Sequence, residues 1–207
     1  MIRKATSEDA QDCVNLIYLA TSDSLLYTLV GDEMLVKDSL KIMFLTPGNL
    51  FSREHFWVDE NHGRIRGVVS MYPGRNDPAL RQGIRRCAID LGRRMGLPRL
   101  LRSALRASRL SRVSPSVRPD EFFINLMAVY PDFQQHGVAI RLMQLTGDLC
   151  LQADLHKNSG FVGIGNIKAL RLCARSGFKI EATHERARFR KHGVPGLYKV
   201  IREVQAA

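Results

Sequence analysis

The sequence predicts one mixed α/β domain, residues 1–207, with a helical segment set between its third and fourth strands. Three observations carry the prediction. Strand-like apolar runs alternate with amphipathic helical stripes along the whole chain. The turn Asp59-Glu60-Asn61-His62-Gly63 joins two apolar runs as a hairpin. The run from Phe122 to Val129 stops at Tyr130-Pro131, and a polar loop then leads into a helix opening near Gly137. At 207 residues the chain is long enough for one well-buried domain and short for two.

Taken in order, Ile2-Arg3-Lys4-Ala5 reads as a short first strand, and Thr6-Ser7-Glu8-Asp9 as a helix start with Thr6 as its cap. Ala10, Val14, Ile17 and Leu19 continue a helical face. A second helix is expected over Glu33 to Leu45, stopped by Pro47-Gly48. Phe56-Trp57-Val58 and Ile65 to Tyr72 are the hairpin strands. From Asp77 to Pro115 the pattern predicts two amphipathic helices broken at Gly96-Leu97-Pro98. Leu80, Ile84, Ala88, Leu91 and Met95 form one stripe; Leu97, Leu101, Ala104 and Leu105 form the other. Beyond the fourth strand, a helix is expected from Gly137 to Leu155, a short strand from Phe161 to Ile164, and a helix from Ile167 to Ser176 that Gly177 ends. Phe178 to Phe189 and Leu197 to Val204 read as two closing strands.

The hydrophobic fraction of 45% and charged fraction of 25% are ordinary for a soluble protein. No apolar run approaches a bilayer span, and the N-terminal residues lack a secretory pattern, so a cytoplasmic protein without a membrane partner is expected. Cys13, Cys87, Cys150 and Cys173 are scattered, without a C-x-x-C pair or a His at ligand spacing, so neither a metal site nor a disulfide framework is expected. The net charge of +11 is concentrated: eleven arginines lie between Arg81 and Arg118 against one acid, Asp90. A block of this kind bears on partners and not on fold.

Two motifs carry chemistry. A strand that passes through a glycine-containing loop into a helix N-terminus is a natural anion site, because free amides and roughly half a positive charge converge there. Gln134-Gln135-His136-Gly137-Val138-Ala139 has that form: Gly137 admits close approach, and small Ala139 leaves the first turn uncrowded. The second motif, Asn166-x-x-Ala169-x-x-Leu172-Cys173-x-x-x-Gly177-Phe178, is a helix start followed by a chain reversal. The pair, at this spacing and in this order, resembles the GCN5-related N-acetyltransferase superfamily. That family's loop reads Q/R-x-x-G-x-G/A, and its later helix often reads N-x-x-A-x-x-L-Y-x-x-x-G-F. Every named position matches except the Tyr, which is Cys173.

The resemblance covers nearly the whole chain outside residues 75–118. It implies a mostly antiparallel central sheet of about six or seven strands flanked by helices, with the arginine-rich helices as an insertion. It implies acetyl-CoA as co-substrate, its pyrophosphate on the amides of Gln134, Gln135, His136, Gly137, Val138 and Ala139, and no side-chain chemistry for His136. Met127, Ala128 and Val129 would pair with the pantetheine arm, Asn166 would hydrogen-bond it, and Ala169, Leu172 and Cys173 would pack near the sulfur. Arg141, Lys168 and Arg171 are candidates for the CoA phosphates.

The reaction the resemblance implies is direct attack of a neutral amine on the thioester, which needs orientation, a base and a donor for the leaving thiolate. Cys173 stands where that donor is expected. A thiol with a pKa of about 8.5 could serve; alternatively it is a small apolar filler and water protonates the product. Glu121, which shares strand parity with Phe123, Asn125 and Met127, is the candidate base; otherwise it is a solvated carboxylate beside Asp120. His184 and Tyr198 are reserves, and Tyr72 and Asn125 are expected to shape the acceptor pocket. The amine acceptor, a small molecule or a peptide, is not named by the sequence.

For the arginine-rich segment, cover of the cleft or the sheet with the arginines facing water, or a homodimer contact, ranks first, and recruitment of an acidic acceptor second, since arginine suits bidentate recognition of carboxylate or phosphate. Nucleic acid ranks third, because the segment lacks interleaved aromatics. A non-catalytic acyl-CoA-binding module on the same fold stands as the alternative to an enzyme.

Overall fold

The computed structural model describes residues 1–29, 31–111, 115–185 and 196–205; for residues 22–28 it describes the backbone only. Its centre is a seven-stranded sheet: β1 (Ile2–Lys4), β2 (Phe56–Asn61), β3 (Arg64–Pro73), β4 (Glu121–Val129), β5 (Lys157–Gly163), β6 (Lys179–Glu185) and β7 (Gly196–Glu203). The spatial order is β1-β2-β3-β4-β5-β7-β6. Every neighbouring pair is antiparallel except β4–β5. The mixed, mostly antiparallel sheet is thus as expected. The end of the expected strand from Phe178 to Phe189, and the turn expected before Leu197, fall within residues 186–195, which lie outside the described residues.

Helices cover both faces of the sheet. On one lie α1 (Ala10–Leu29) and α2 (Glu33–Leu45), whose Leu16, Ile17, Leu40 and Phe44 pack with Phe56, Val58, Val68, Leu126 and Ala128. On the other lie α6 (Val138–Gln152) and α7 (Ile167–Arg175), where Leu142, Met143 and Cys173 pack with Val69, Met71, Phe122 and Ile124. Alternate strand residues therefore feed opposite cores, and each fully buried aliphatic side chain contributes about 1.5–3 kcal/mol.

Local chemistry sets the element ends. Asp32 caps α2 by accepting from Leu35 N at 2.9 Å. Before α1, Asp9, three residues after the expected cap Thr6, accepts from Thr6 N at 2.7 Å and from Thr6 Oγ1 at 3.0 Å, and also pairs with Arg3. His62 (φ 49°) and Gly63 (φ 72°) make the two-residue hairpin turn, which leaves Asp59 and Glu60 within β2. β5 begins at Lys157, four residues before the expected strand. Its first half is polar, yet Asn158 and Ser159 are fully buried, so composition conceals the strand.

Among the described residues, the β3–β4 connection holds three α-helices where two were expected: α3 (Asp77–Gly83), α4 (Ala88–Met95) and α5 (Leu97–Ser111), with a 3₁₀ turn over Ile84–Cys87. Leu80, Leu91 and Met95 of the first stripe are buried as expected. The second stripe corrects the sequence reading. Leu97, Leu101 and Leu105 face solvent, because α5 turns Leu100 and Ser103 inward. Within the connection Gly83 lies against Gly48: a Cβ there would stand 1.8 Å from Gly48 O.

Candidate functional site

β4 and β5 run side by side for only four residue pairs, from Glu121↔Lys157 to Ile124↔Gly160. Beyond that point β4 continues to Val129 along β3, while β5 continues to Gly163 along β7. The two strands part, and the β4 backbone from Asn125 onward loses its β5 partner. A ligand strand set in this gap could pair with that free edge.

The gap opens toward the loop between β4 and α6. Phe133 N and Gln134 N bond back to Tyr130 O and Pro131 O at 2.9 and 3.1 Å, forming a compact turn. Gln135 (φ 64°) and Gly137 (φ 74°) then take left-handed conformations and carry the chain into the helix. The first bond of α6 is Arg141 N–H to Gly137 O at 3.0 Å, so the amides of Val138, Ala139 and Ile140 have no partner within the helix. Gln134, Gln135, His136 and Gly137 are exposed. Such a loop can cradle an anion through its backbone, and its residues fit a diphosphate.

Two anchors hold the cradle. The Tyr130 hydroxyl donates to Asp12 Oδ1 at 2.7 Å, tying the loop to α1. On the other side Arg141 reaches Asp59 Oδ2 at 2.7 Å and His136 O at 3.3 Å. Asp59 is fully buried and also accepts from Arg66 Nε at 3.0 Å. Arg141, one of three sequence candidates for the CoA phosphates, here braces the loop against β2 and β3. Asp59 and Arg66 went unnoticed because a carboxylate next to a turn signal reads as a turn residue. Gly67 completes the seat: a Cβ there would come within 2.9 Å of Ala128 O and Val138 Cγ1.

Across the gap, Asn166 caps α7 by accepting from Ala169 N at 3.0 Å. That bond occupies its carbonyl oxygen and leaves its amide group as a donor. Ala169, Leu172 and Cys173 pack into the α6–α7 core, with Cys173 buried. Burial pushes the Cys173 thiol above its ordinary pKa.

Near the seam of β4 and β5 the side chains divide differently from the sequence reading. Ser70 faces Leu126 and Met71 faces Ile124, so Asn125 is the extra residue of a β-bulge. The parity expected from Glu121 through Phe123 and Asn125 breaks there, and Met127 turns to the α6 side. Asn125 Nδ2 donates to Leu50 O at 3.2 Å. Tyr72 is buried with Phe123, Leu80 and Val117, and its hydroxyl donates to Asp77 Oδ1 at 2.8 Å. Tyr72, Phe123 and Phe161 form a ring column with centroids 5.6 and 5.1 Å apart. Tyr198 instead packs on the α6–α7 side, while His184, paired with Leu197, falls on the opposite face. The structure thus groups Tyr72 and Asn125 and separates Tyr198 from them.

Glu121 is not the solvated carboxylate of the bland expectation but is fully buried. Its Oε1 accepts from Lys199 Nζ at 2.7 Å and its Oε2 from Ser159 Oγ at 2.9 Å. Lys199 also meets Glu181 at 3.2 Å, and Arg118 meets Glu181 at 2.9 Å, so alternating charges cross β4, β5, β7 and β6.

Known proteins share this chain's family and fold. Residues 37–178 match the family model of the acetyltransferase (GNAT) family. Among solved structures, an N-acetyltransferase from Staphylococcus aureus Mu50 superimposes with a TM-score of 0.73 at 20% identity, over 98% of this chain and 100% of that one. A structure described as an acetyltransferase gives 0.72 at 20% identity, over 99% and 100%. A putative acetyltransferase from Salmonella typhimurium, solved with its cofactor acetyl-CoA, gives 0.56 at 13% identity, over 100% and 95%. None of the curated proteins compared matches the chain.

Proposed function

This chain belongs to the GNAT family of acetyltransferases, and we propose that it transfers the acetyl group of acetyl-CoA to a primary amine by direct attack in a ternary complex. The observation that carries this reading is the parting of β4 from β5 after Ile124↔Gly160, directly below the cradle of free amides at Gly137 to Ile140. Acetyl-CoA supplies an acetyl group already activated as a thioester. The amides from Gln135 to Ile140 hold the diphosphate, Gln134 N being bonded to Pro131 O, with the α6 N-terminus adding its partial charge. The edge of Met127, Ala128 and Val129 aligns the pantetheine arm, joined by the free amide group of Asn166. Unpaired β4 amides past Ile124 offer donors where negative charge develops on the carbonyl oxygen.

The acceptor, a small molecule or a peptide amine, approaches from the face bearing Asn125, Tyr72, Phe123 and Phe161. Glu121 has both oxygens engaged by Lys199 and Ser159, so its role in this reading is to position β4 against β5 and β7, and water takes the ammonium proton. Water also protonates the leaving thiolate, since burial makes the Cys173 thiol a weaker acid.

Saturating acetyl-CoA at about 100 times its Kd is expected to stabilise the fold by about 2.7 kcal/mol. For a chain of this size that raises Tm by roughly 5–10 °C. Gly137→Glu, which puts bulk and negative charge in the cradle, is expected to abolish the shift. An unchanged Tm with the unaltered chain would overturn the reading. A second reading, an acyl-CoA-binding module without turnover, is favoured by the Cys173 replacement and by the closed Glu121 pair. Thiol release across polyamines, amino acids, aminoglycosides and peptide N-termini, acidic acceptors included, separates the two.

A further inference from the structure

Helix α5 has its large apolar residues on the outside. Leu97, Leu101 and Leu105 are 64%, 57% and 60% exposed, one per turn along a helix of 15 residues. Its packed side carries small or partly covered groups instead: Ser103 is buried, and Leu100 meets the α1–α2 core. Exposed leucines scattered singly would need no explanation, but three in register form a continuous stripe.

The stripe is edged by charge of one sign. Arg102 and Arg109 stand three residues before and four after Leu105, which places both beside it on the helix surface. Arg99, Arg102 and Arg109 are exposed, and α5 contains no acidic residue. On the neighbouring α4, Arg93 pairs with Asp90 and Arg94 with Asp38. An amphipathic helix with leucines on one side, arginines at their edge and low overall hydrophobicity suits the boundary between lipid headgroups and acyl chains.

We propose that α5 docks this protein on an anionic lipid surface, with Leu97, Leu101 and Leu105 in the acyl boundary and Arg102 and Arg109 on the lipid phosphates. The contact is peripheral, since no helix among the described residues is long and apolar enough to cross a membrane. It reverses the expectation of no membrane partner, which rested on the lack of a spanning segment. A second copy of the chain is a poorer occupant. Apposing the same patch twice would set arginines against arginines, whereas anionic headgroups complement them. The inference does not depend on the acetyltransferase reading, because its test needs no acetyl-CoA.

The test is sedimentation of the full chain with vesicles of equal parts phosphatidylglycerol and phosphatidylcholine, and with phosphatidylcholine alone. Binding is expected to the mixed vesicles only and to weaken as salt rises. The triple variant Leu97→Ser, Leu101→Ser, Leu105→Ser and the double variant Arg102→Glu, Arg109→Glu are each expected to lower binding by about 10-fold or more. Both should keep the unaltered Tm, because these side chains are exposed. No sedimentation with mixed vesicles, equal binding to both vesicles, or full binding by the leucine variant would each overturn the proposal. So would a dimer in light scattering that the leucine variant dissolves, which would assign the stripe to a second copy.

Discussion

Lys199 is 4% exposed and holds the buried carboxylate of Glu121 from a strand two places away in the sheet. Nothing near Glu121 in sequence announces this: alternation along β4 gives the side, but the partner lies 78 residues on. Removing one member leaves a charge in a poor dielectric, which costs about 3–5 kcal/mol. Lys199→Met is therefore expected to lower unfolding free energy by that amount in a denaturant titration, and adding Glu121→Gln to restore part of it. A cost within experimental error would show that the pair is not closed as described. The Cys173 position was legible as an anomaly, while its burial was not. Cys173→Ala is expected to keep kcat within a few-fold; a loss of 100-fold or more, the scale of a positioned acid, would give the thiol the proton-donor role.

At the scale of elements, periodicity found the helices and strands but not how they are seated. The leucine stripe of α5 has a helical period whether it faces a core or water, so the sequence could not tell the two apart. The bulge at Asn125 is likewise silent in the pattern of β4, although it decides which face Met127 takes. Gly83 falls within the Leu80–Met95 stripe, and nothing in that pattern announces its contact with the α2–β2 loop. With a Cβ only 1.8 Å from Gly48 O, Gly83→Ala must displace backbone. It is expected to cost about 1–3 kcal/mol or more, seen as a Tm several degrees lower. An unchanged Tm would mean that the connection is not pressed on that loop.

In the whole molecule, the order of elements and the glycine loop before α6 were readable because both use local signals: turn residues, apolar periods and a glycine before a helix. The polar first half of β5 and the Asp59–Arg141–Arg66 brace were not, because each depends on partners brought together by the completed sheet. The charge excess between Arg81 and Arg118 was plain in composition. Its geometric sense came only with the exposed face of α5.

The four-pair seam between β4 and β5 has a wider consequence. On the proposed reading the cleft is made by backbone register, not carved by side chains, and its donor wall is built from amides. Residues facing the proposed acceptor could then change identity without dismantling the seat for the acetyl donor. Under that reading, one scaffold of this kind could be redirected from amine to amine by point replacement, with its donor chemistry carried along intact.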